Sequence, residues 1–303
     1  IRPVELDERW LKDYNRNRHI SKLSLSCLLC YKWSILSVMI KKVGMSVRDK
    51  FSSGVYTIGF FGKTIRGLGR FFHHNRTSSK ILIMQILFTF VEALGISSLL
   101  AMGIGAAVNV LGLPILSSFS QEQLIYPLLI TIITRELGPL LTAFIIIARS
   151  ATAIATEVAG MVISHEIEAY IAVGIDPVEH IAVPRFLGVT ASLFLLNIYF
   201  SIFGLAASFL IVQVLSPMSA ADYFNNILQT LQISDILVSV LKSIVFGMIL
   251  AILAIVQGFS VERASTEIPQ AGLRAVGRAV AWCITADILI SALYYMLNEG
   301  GSI

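Results

Sequence analysis

The sequence predicts an all-α integral membrane protein: an N-terminal interfacial amphipathic helix followed by five transmembrane helices. Three observations predict it. Of the 303 residues, 56% are hydrophobic and only 14% are charged, whereas a soluble domain carries about 25% charged residues. Several apolar runs reach the roughly 20 residues that cross a bilayer. Those runs are continuous rather than alternating, which selects helices over a barrel. The mean hydropathy of +0.79 agrees.

Residues 1–44 form an extension of open role, polar and mixed in charge, with a moderately apolar stretch at 23–40 interrupted by Lys32. No small-residue cleavage site follows that stretch, which argues against a signal peptide, and Met45 is a candidate start. Residues 46–79 are amphipathic. Val55, Ile58, Phe61, Ile65, Leu68 and Phe72 recur at three- and four-residue steps, with Lys63, Arg66 and Arg70 on the other side. A basic face opposite an apolar one fits a helix lying in the membrane interface.

Five apolar segments follow, at about 81–108, 124–148, 186–212, 236–256 and 279–297. Sixteen of the 23 Lys and Arg lie in residues 1–80. The connections 109–123 and 213–235 contain none, whereas 149–185 and 257–278 carry Arg149, Arg185, Arg263, Arg274 and Arg278. The positive-inside rule then places the N-terminus and both arginine-bearing connections in the cytoplasm and the C-terminus across the membrane. The basic N-terminal segment reads as a headgroup-facing surface, without the aromatic interleaving of a nucleic-acid groove.

The connection 149–185 has structure of its own. Ile163, Ile167, Tyr170 and Ile171 form an i, i+4, i+7, i+8 stripe, and His165, Glu166 and Glu168 leave the other side polar. Gly174 suits a helix stop. "DPVE" reads as a capping box, with Asp176 as N-cap, Pro177 at the first helical position and Glu179 at the third. The spacing predicts two short helices with a sharp corner, the second ending near Pro184.

Glu92, Arg135, Glu136, Lys242 and Asp287 all fall within the apolar segments. Each charge at a helix centre costs about 2.5–3.5 kcal/mol on insertion scales, so such residues face a wet cavity or one another. In "TRELGPLL", Pro139 removes the N–H that would serve the Arg135 carbonyl and predicts a kinked polar patch. Two readings stay open on these residues: a cavity-lining polar site, or an internal ion-pair network that only fixes helix packing.

Other chemistries find no support. "GKT" at 62–64 lacks the glycine five places earlier that a phosphate loop needs, since Thr57 stands there. His19, His73, His74, His165 and His180 have no nucleophile or metal-ligand set around them. The single "CLLC" of Cys27 and Cys30, with Cys283 apart, reads as apolar filler rather than a metal or redox site.

Residues 135–188 carry a resemblance. Arg135 to Pro139, Arg149, Glu157, Gly160, Met161, Glu166, Ile167, Ala169, Asp176, Pro177, Pro184, Arg185 and Phe186 match, in order, the signature core of MlaE-type permeases. "KSIVFG" at 242–247 and "GLRAVGRAVAWCITADILISAL" at 272–293 resemble later blocks of that family. The similarity covers about 46–297, and Glu92 is not among the positions that carry it.

The resemblance implies a five-helix permease domain at 81–297 acting as a homodimer in the bacterial inner membrane. It implies a cytoplasmic ABC ATPase partner that binds ATP and magnesium, so that this chain is no enzyme and holds no cofactor. The 149–185 segment would carry the coupling helix for that ATPase, through Ile163, His165, Glu166, Ile167, Glu168, Tyr170 and Ile171. An MCE-domain protein would sit on the periplasmic side. The cargo would be phospholipid moved between inner and outer membranes, maintaining outer-membrane asymmetry. Arg135, Glu136, Lys242, Asp287 and, from its depth alone, Glu92 would line the lipid cavity. Arg135 or Lys242 would hold the phosphate, and Glu136 and Asp287 would orient those cations. The alternatives from other classes are an ion-coupled secondary transporter and a structural membrane scaffold; the sequence shows no internal repeat of the kind such carriers often have.

Overall fold

The computed structural model describes residues 57–69, 76–215, 219–261 and 264–299. The 1–44 extension, the rest of 46–75 and Arg263 lie outside the described residues. Among the described residues there is no strand. Helix α1 spans 57–69, and α2 runs Arg76–Ser118. The span α3 covers Ile125–Ile163. The short α4 is Glu166–Ala172 and α5 is Val183–Leu215. Helix α6 is Ala220–Thr230, α7 is Ile233–Phe259 and α8 is Ile268–Glu299. Five of these are long and apolar enough to cross a membrane: α2, α3, α5, α7 and α8.

These helices are longer than the apolar runs that announce them. Each continues past its hydrocarbon-length core, so Arg149 lies inside α3 rather than in a connection. Backbone hydrogen bonding favours completing a helix wherever the side chains are tolerated. The expected end near Pro184 is also displaced. Asp176 does accept from the Val178 backbone N–H at 2.9 Å, as an N-cap should. The chain then makes a π-turn at Val178–Ala182 and runs straight into α5. Pro184 falls inside this continuous run, directly after the π-turn, and does not end it. The sharp corner is present, with His165 at φ +60° and Gly174 at φ +82°, both left-handed.

The central members are α3 and α7. Their main core joins Ile146, Ile147, Ile154 and Val158 of α3 to Phe246, Leu250 and Ile255 of α7 and Val189, Leu193 and Leu196 of α5. A second core at the far end gathers Ile125, Tyr126, Leu129, Ile130 and Ile133 with Phe200, Tyr223 and Ile227. It seats α6 on the bundle, and the Tyr223 hydroxyl hydrogen-bonds Ser208 of α5. Burial pushes that hydroxyl's pKa above the ordinary tyrosine value. Helix α8 packs on α3 and α7 along one side and leaves Trp282, Ile288, Leu289, Leu293 and Met296 exposed.

Helix α1 lies against the same body. Phe60 and Thr64 are buried, and the Phe60 ring meets Phe259 while Phe61 meets Phe186, at 5.7 and 6.4 Å. Ile58 and Ile65 of the predicted stripe stay exposed. The apolar residues of α1 therefore divide, Phe60 turned onto the protein and Ile58 and Ile65 turned outward. Lys63 and Arg66 are exposed on the remaining side.

The kink expected at "TRELGPLL" takes a definite form. Within α3, residues Ile130–Leu137 are π-helical, followed by an α-helical stretch Gly138–Ile146 with Pro139 at its start. The wide turn absorbs the proline without a break. It also brings the Ile133 carbonyl so close that a Cβ on Gly138 would stand 2.4 Å from that oxygen. Only glycine fits. Gly138→Ala is expected to destabilise the fold by about 1–3 kcal/mol, with Gly95→Ala, at an open position of α2, as the neutral comparison. Thermal unfolding of the purified variants in detergent checks this.

Candidate functional site

The π-turn aims two consecutive residues at the same place. Arg135 and Glu136 both point toward α7 and α8, and the polar residues of those helices are spaced to meet them. On α7, Asp235 and Lys242 are seven residues apart and share a face. On α8, Asp287, Ser291, Tyr294 and Tyr295 follow an i, i+4, i+7, i+8 pattern.

Two layers result. In the inner layer, Lys242 is wholly buried, its side chain 0% exposed, and its ammonium lies 2.6 Å from Glu136 Oε2 and 2.9 Å from Asp287 Oδ1. It also donates to Ser291 Oγ at 2.7 Å, and Ser291 donates to Glu136 Oε2 at 3.0 Å. In the outer layer, the Arg135 guanidinium pairs with Asp235 Oδ1 through Nη1 at 3.3 Å and donates to the Tyr295 hydroxyl through Nη2 at 2.5 Å. It lies 5.0 and 5.1 Å from the ring centroids of Tyr294 and Tyr295, within cation–π range. Arg135 Nε reaches Glu136 Oε1 at 3.3 Å, so Glu136 joins the layers.

Of the five predicted cavity residues, the structure brings Arg135, Glu136, Lys242 and Asp287 together. Glu92 stands apart on α2, where Arg149 Nη2 meets its carboxylate at 2.9 Å and Nη1 donates to its backbone carbonyl at 2.8 Å. Both side chains are about half exposed. Both cations have carboxylate partners, Lys242 with Glu136 and Asp287 and Arg135 with Glu136 and Asp235. Sequence reasoning missed Asp235, Ser291, Tyr294 and Tyr295. The shared face of Asp235 and Lys242 and the helical spacing from Asp287 to Tyr295 were the available signals.

The profile of the family described as "Permease MlaE" matches residues 82–293. The chain belongs to the MlaE permease family. Within it, this chain is 26% identical over 220 residues to a probable ABC transporter permease protein of Rickettsia prowazekii, covering 72% of this chain and 82% of the relative. It is 24% identical over 216 residues to the intermembrane phospholipid transport system permease protein MlaE of Haemophilus influenzae, covering 71% and 83%. It is 22% identical over 213 residues to the chloroplastic TRIGALACTOSYLDIACYLGLYCEROL 1 protein of Arabidopsis thaliana, covering 70% and 61%. With its five spanning helices, this MlaE-family chain is a multi-pass membrane permease subunit and not itself an enzyme.

The other predicted site of the MlaE-family chain is the segment from Ile163 to Ile171. Its apolar stripe divides. Ile163, Ile167 and Tyr170 turn onto the body of the bundle, while Ile171 is exposed. The Tyr170 ring also meets His180, 5.4 Å between centroids, which closes the corner. His165 Nδ1 pairs with Glu168 at 3.0 Å on the open surface. Glu166, Ala169, Tyr170, Val173 and Ile175 line a shallow groove of about 350 Å³. At the base, Arg185 Nη2 meets Glu157 at 2.6 Å and ties α5 to α3.

Removing one partner of a buried charge pair is expensive, because the other charge stays behind. Lys242→Ala is expected to cost about 3–5 kcal/mol by stranding Glu136 and Asp287. The neutral combination of Lys242→Met, Glu136→Gln and Asp287→Asn is expected to recover most of that loss. Unfolding midpoints of the two variants beside the unaltered protein make the comparison.

Proposed function

We propose that this chain is the membrane subunit of an ABC transporter that moves phospholipid between the inner and outer membranes of a bacterial envelope and so maintains outer-membrane lipid asymmetry. The observation that carries the reading is the two-layered charge cluster held inside an apolar bundle and accessible at Glu136 and Asp287. A phospholipid needs greasy walls for its tails and a few polar groups for its head, and this arrangement offers both. Membership of the MlaE family supports the reading, as does similarity to a relative described as an intermembrane phospholipid transport permease.

The energy comes from a cytoplasmic ATPase docked on the groove lined by Glu166, Ala169, Tyr170, Val173 and Ile175, with ATP and magnesium bound by that partner. Two copies of the chain form the working unit, and an MCE-domain protein receives or delivers lipid on the periplasmic side. The N-terminus is cytoplasmic and the C-terminus periplasmic, a reading that the distribution of Lys and Arg supports. The complete pairing of both buried cations also favours a second reading, in which the cluster only fixes helix packing.

Two measurements bear on this. Phospholipid copurifying with the unaltered chain, counted by mass spectrometry, is expected to fall at least about tenfold in the neutral variant Lys242→Met/Glu136→Gln/Asp287→Asn. Equal lipid in both would leave only the packing role. Glu166→Lys is expected to weaken ATPase association about tenfold without altering membrane insertion, as read by copurification from detergent extracts. An undiminished ATPase yield would remove Glu166 from the docking surface.

A further inference from the structure

Away from Lys242, a polar seam lies where α3 meets α5. Two close approaches fix the register of these helices. A Cβ on Gly138 would stand 3.1 Å from Asn197 Oδ1, and one on Gly204 would stand 2.9 Å from the Ile133 side chain. Residue numbers rise along α3 as they fall along α5, so the two run antiparallel. Thr134 is one turn before Gly138, and Ser201 is one turn after Asn197, so the register sets Thr134 opposite Ser201. Asn197 also reaches α7, where its Nδ2 donates to Ser239 Oγ at 2.9 Å and to the Ser239 carbonyl at 3.4 Å. Of the two amide atoms only the nitrogen can serve that carbonyl, so the oxygen is the atom turned to α3.

Three oxygens of this seam are sealed from solvent and make no hydrogen bond with the protein: Thr134 Oγ1, Asn197 Oδ1 and Ser201 Oγ. Thr134 and Asn197 are themselves 6% and 1% exposed. A hydroxyl within a helix readily bonds the carbonyl of the preceding turn, as Thr142 does to Gly138 at 2.7 Å. Thr134 and Ser201 do not. The backbone adds to the deficit, because Pro139 brings no N–H and a carbonyl one turn earlier loses its ordinary donor. No free carboxylate compensates: Asp235, one turn before Ser239 on α7, is paired with Arg135.

We infer that this seam is a binding site for ordered water, which bridges the π-turn of α3 to α5. The amide oxygen and the freed carbonyl need donors, and each hydroxyl brings a proton to give as well as lone pairs. Water both donates and accepts, and a buried water makes about three such bonds. A monovalent metal ion would serve the oxygens and leave both hydroxyl protons without an acceptor. Within a bilayer, ordered water is one of the few groups able to satisfy a backbone that proline has opened. Water also breaks and remakes its bonds readily. The π-turn that carries Arg135 and Glu136 can thus adjust without leaving buried protein atoms unpaired.

The test is a cryo-electron-microscopy map of the full chain in nanodiscs, at a resolution that shows ordered water elsewhere in the same map. A peak is expected within about 3.2 Å of at least two of Thr134 Oγ1, Asn197 Oδ1 and Ser201 Oγ. It is expected to persist when every metal cation in the buffer is replaced by N-methylglucamine. A seam without a peak would overturn the inference, and so would a peak lost with the metal cations, which would mark a bound ion instead. Thr134→Val and Ser201→Ala each remove one hydroxyl with little change of shape, and together they test the bridge in solution. Their effects on the unfolding equilibrium in detergent are expected to be coupled, the double variant departing from the product of the single effects by more than about twofold. Agreement within that margin is the behaviour of independent sites and would overturn the bridge.

Discussion

Everything in the bundle's interior is arranged around the ammonium of Lys242. A charge sealed in an apolar interior is tolerated only if opposite charges and hydrogen-bonding groups reach it. Glu136, Asp287 and Ser291 do so from two different helices. That requirement fixes the rotation of α7, the face of α8 turned inward and the local geometry of α3. Apolar packing alone does not set helix rotation so narrowly, because lipid and Leu are equally greasy. The polar contacts supply the registration that a membrane bundle lacks by default.

Helix α8 depends on this most. Few of its residues enter the apolar core, among them Ala279 and Cys283, while most of its apolar side chains face outward. Its inward face toward the C-terminal end is Asp287, Ser291, Tyr294 and Tyr295, each touching the cluster or its edge. The attachment is thus mainly electrostatic there, whereas α5 and α7 meet through tight apolar contact. A polar attachment re-forms with other donors and acceptors more readily than an interlocked apolar one, and a transport pathway draws on elements of that kind.

Much of this architecture was legible in the sequence. Hydropathy alone marked five spans, and the same contrast exposed Arg135, Glu136, Lys242 and Asp287, because charges are conspicuous in apolar runs. Asp235 escaped for the opposite reason: it sits where an apolar run meets a polar connection and looks like part of the connection. Ser291, Tyr294 and Tyr295 are unremarkable in any helix, and only their spacing from Asp287 distinguishes them. Glu92 was grouped with the cluster by depth, which says nothing about the direction a side chain takes around its helix. At the corner between α3 and α5, Gly174 and Asp176 behave as their local chemistry requires, since turns and caps depend on few residues. The helix expected to stop at Pro184 continues because the π-turn before it was invisible to a pattern of α-helical period.

The π-turn in α3 has a consequence of its own. A π-turn is an α-helix carrying one residue more than its turns require. That surplus residue lies between two stretches with different tasks. Ile125, Tyr126, Leu129, Ile130 and Ile133 face the far-end core, and Ile146, Ile147, Ile154 and Val158 face the main one. A plain α-helix would hold the two sets in one fixed phase. Two π-stretches, Ile130–Leu137 and Ile147–Ala151, each shift that phase by about 100° per inserted residue, so a single rod serves both cores, and the polar pair sits in the first of these stretches.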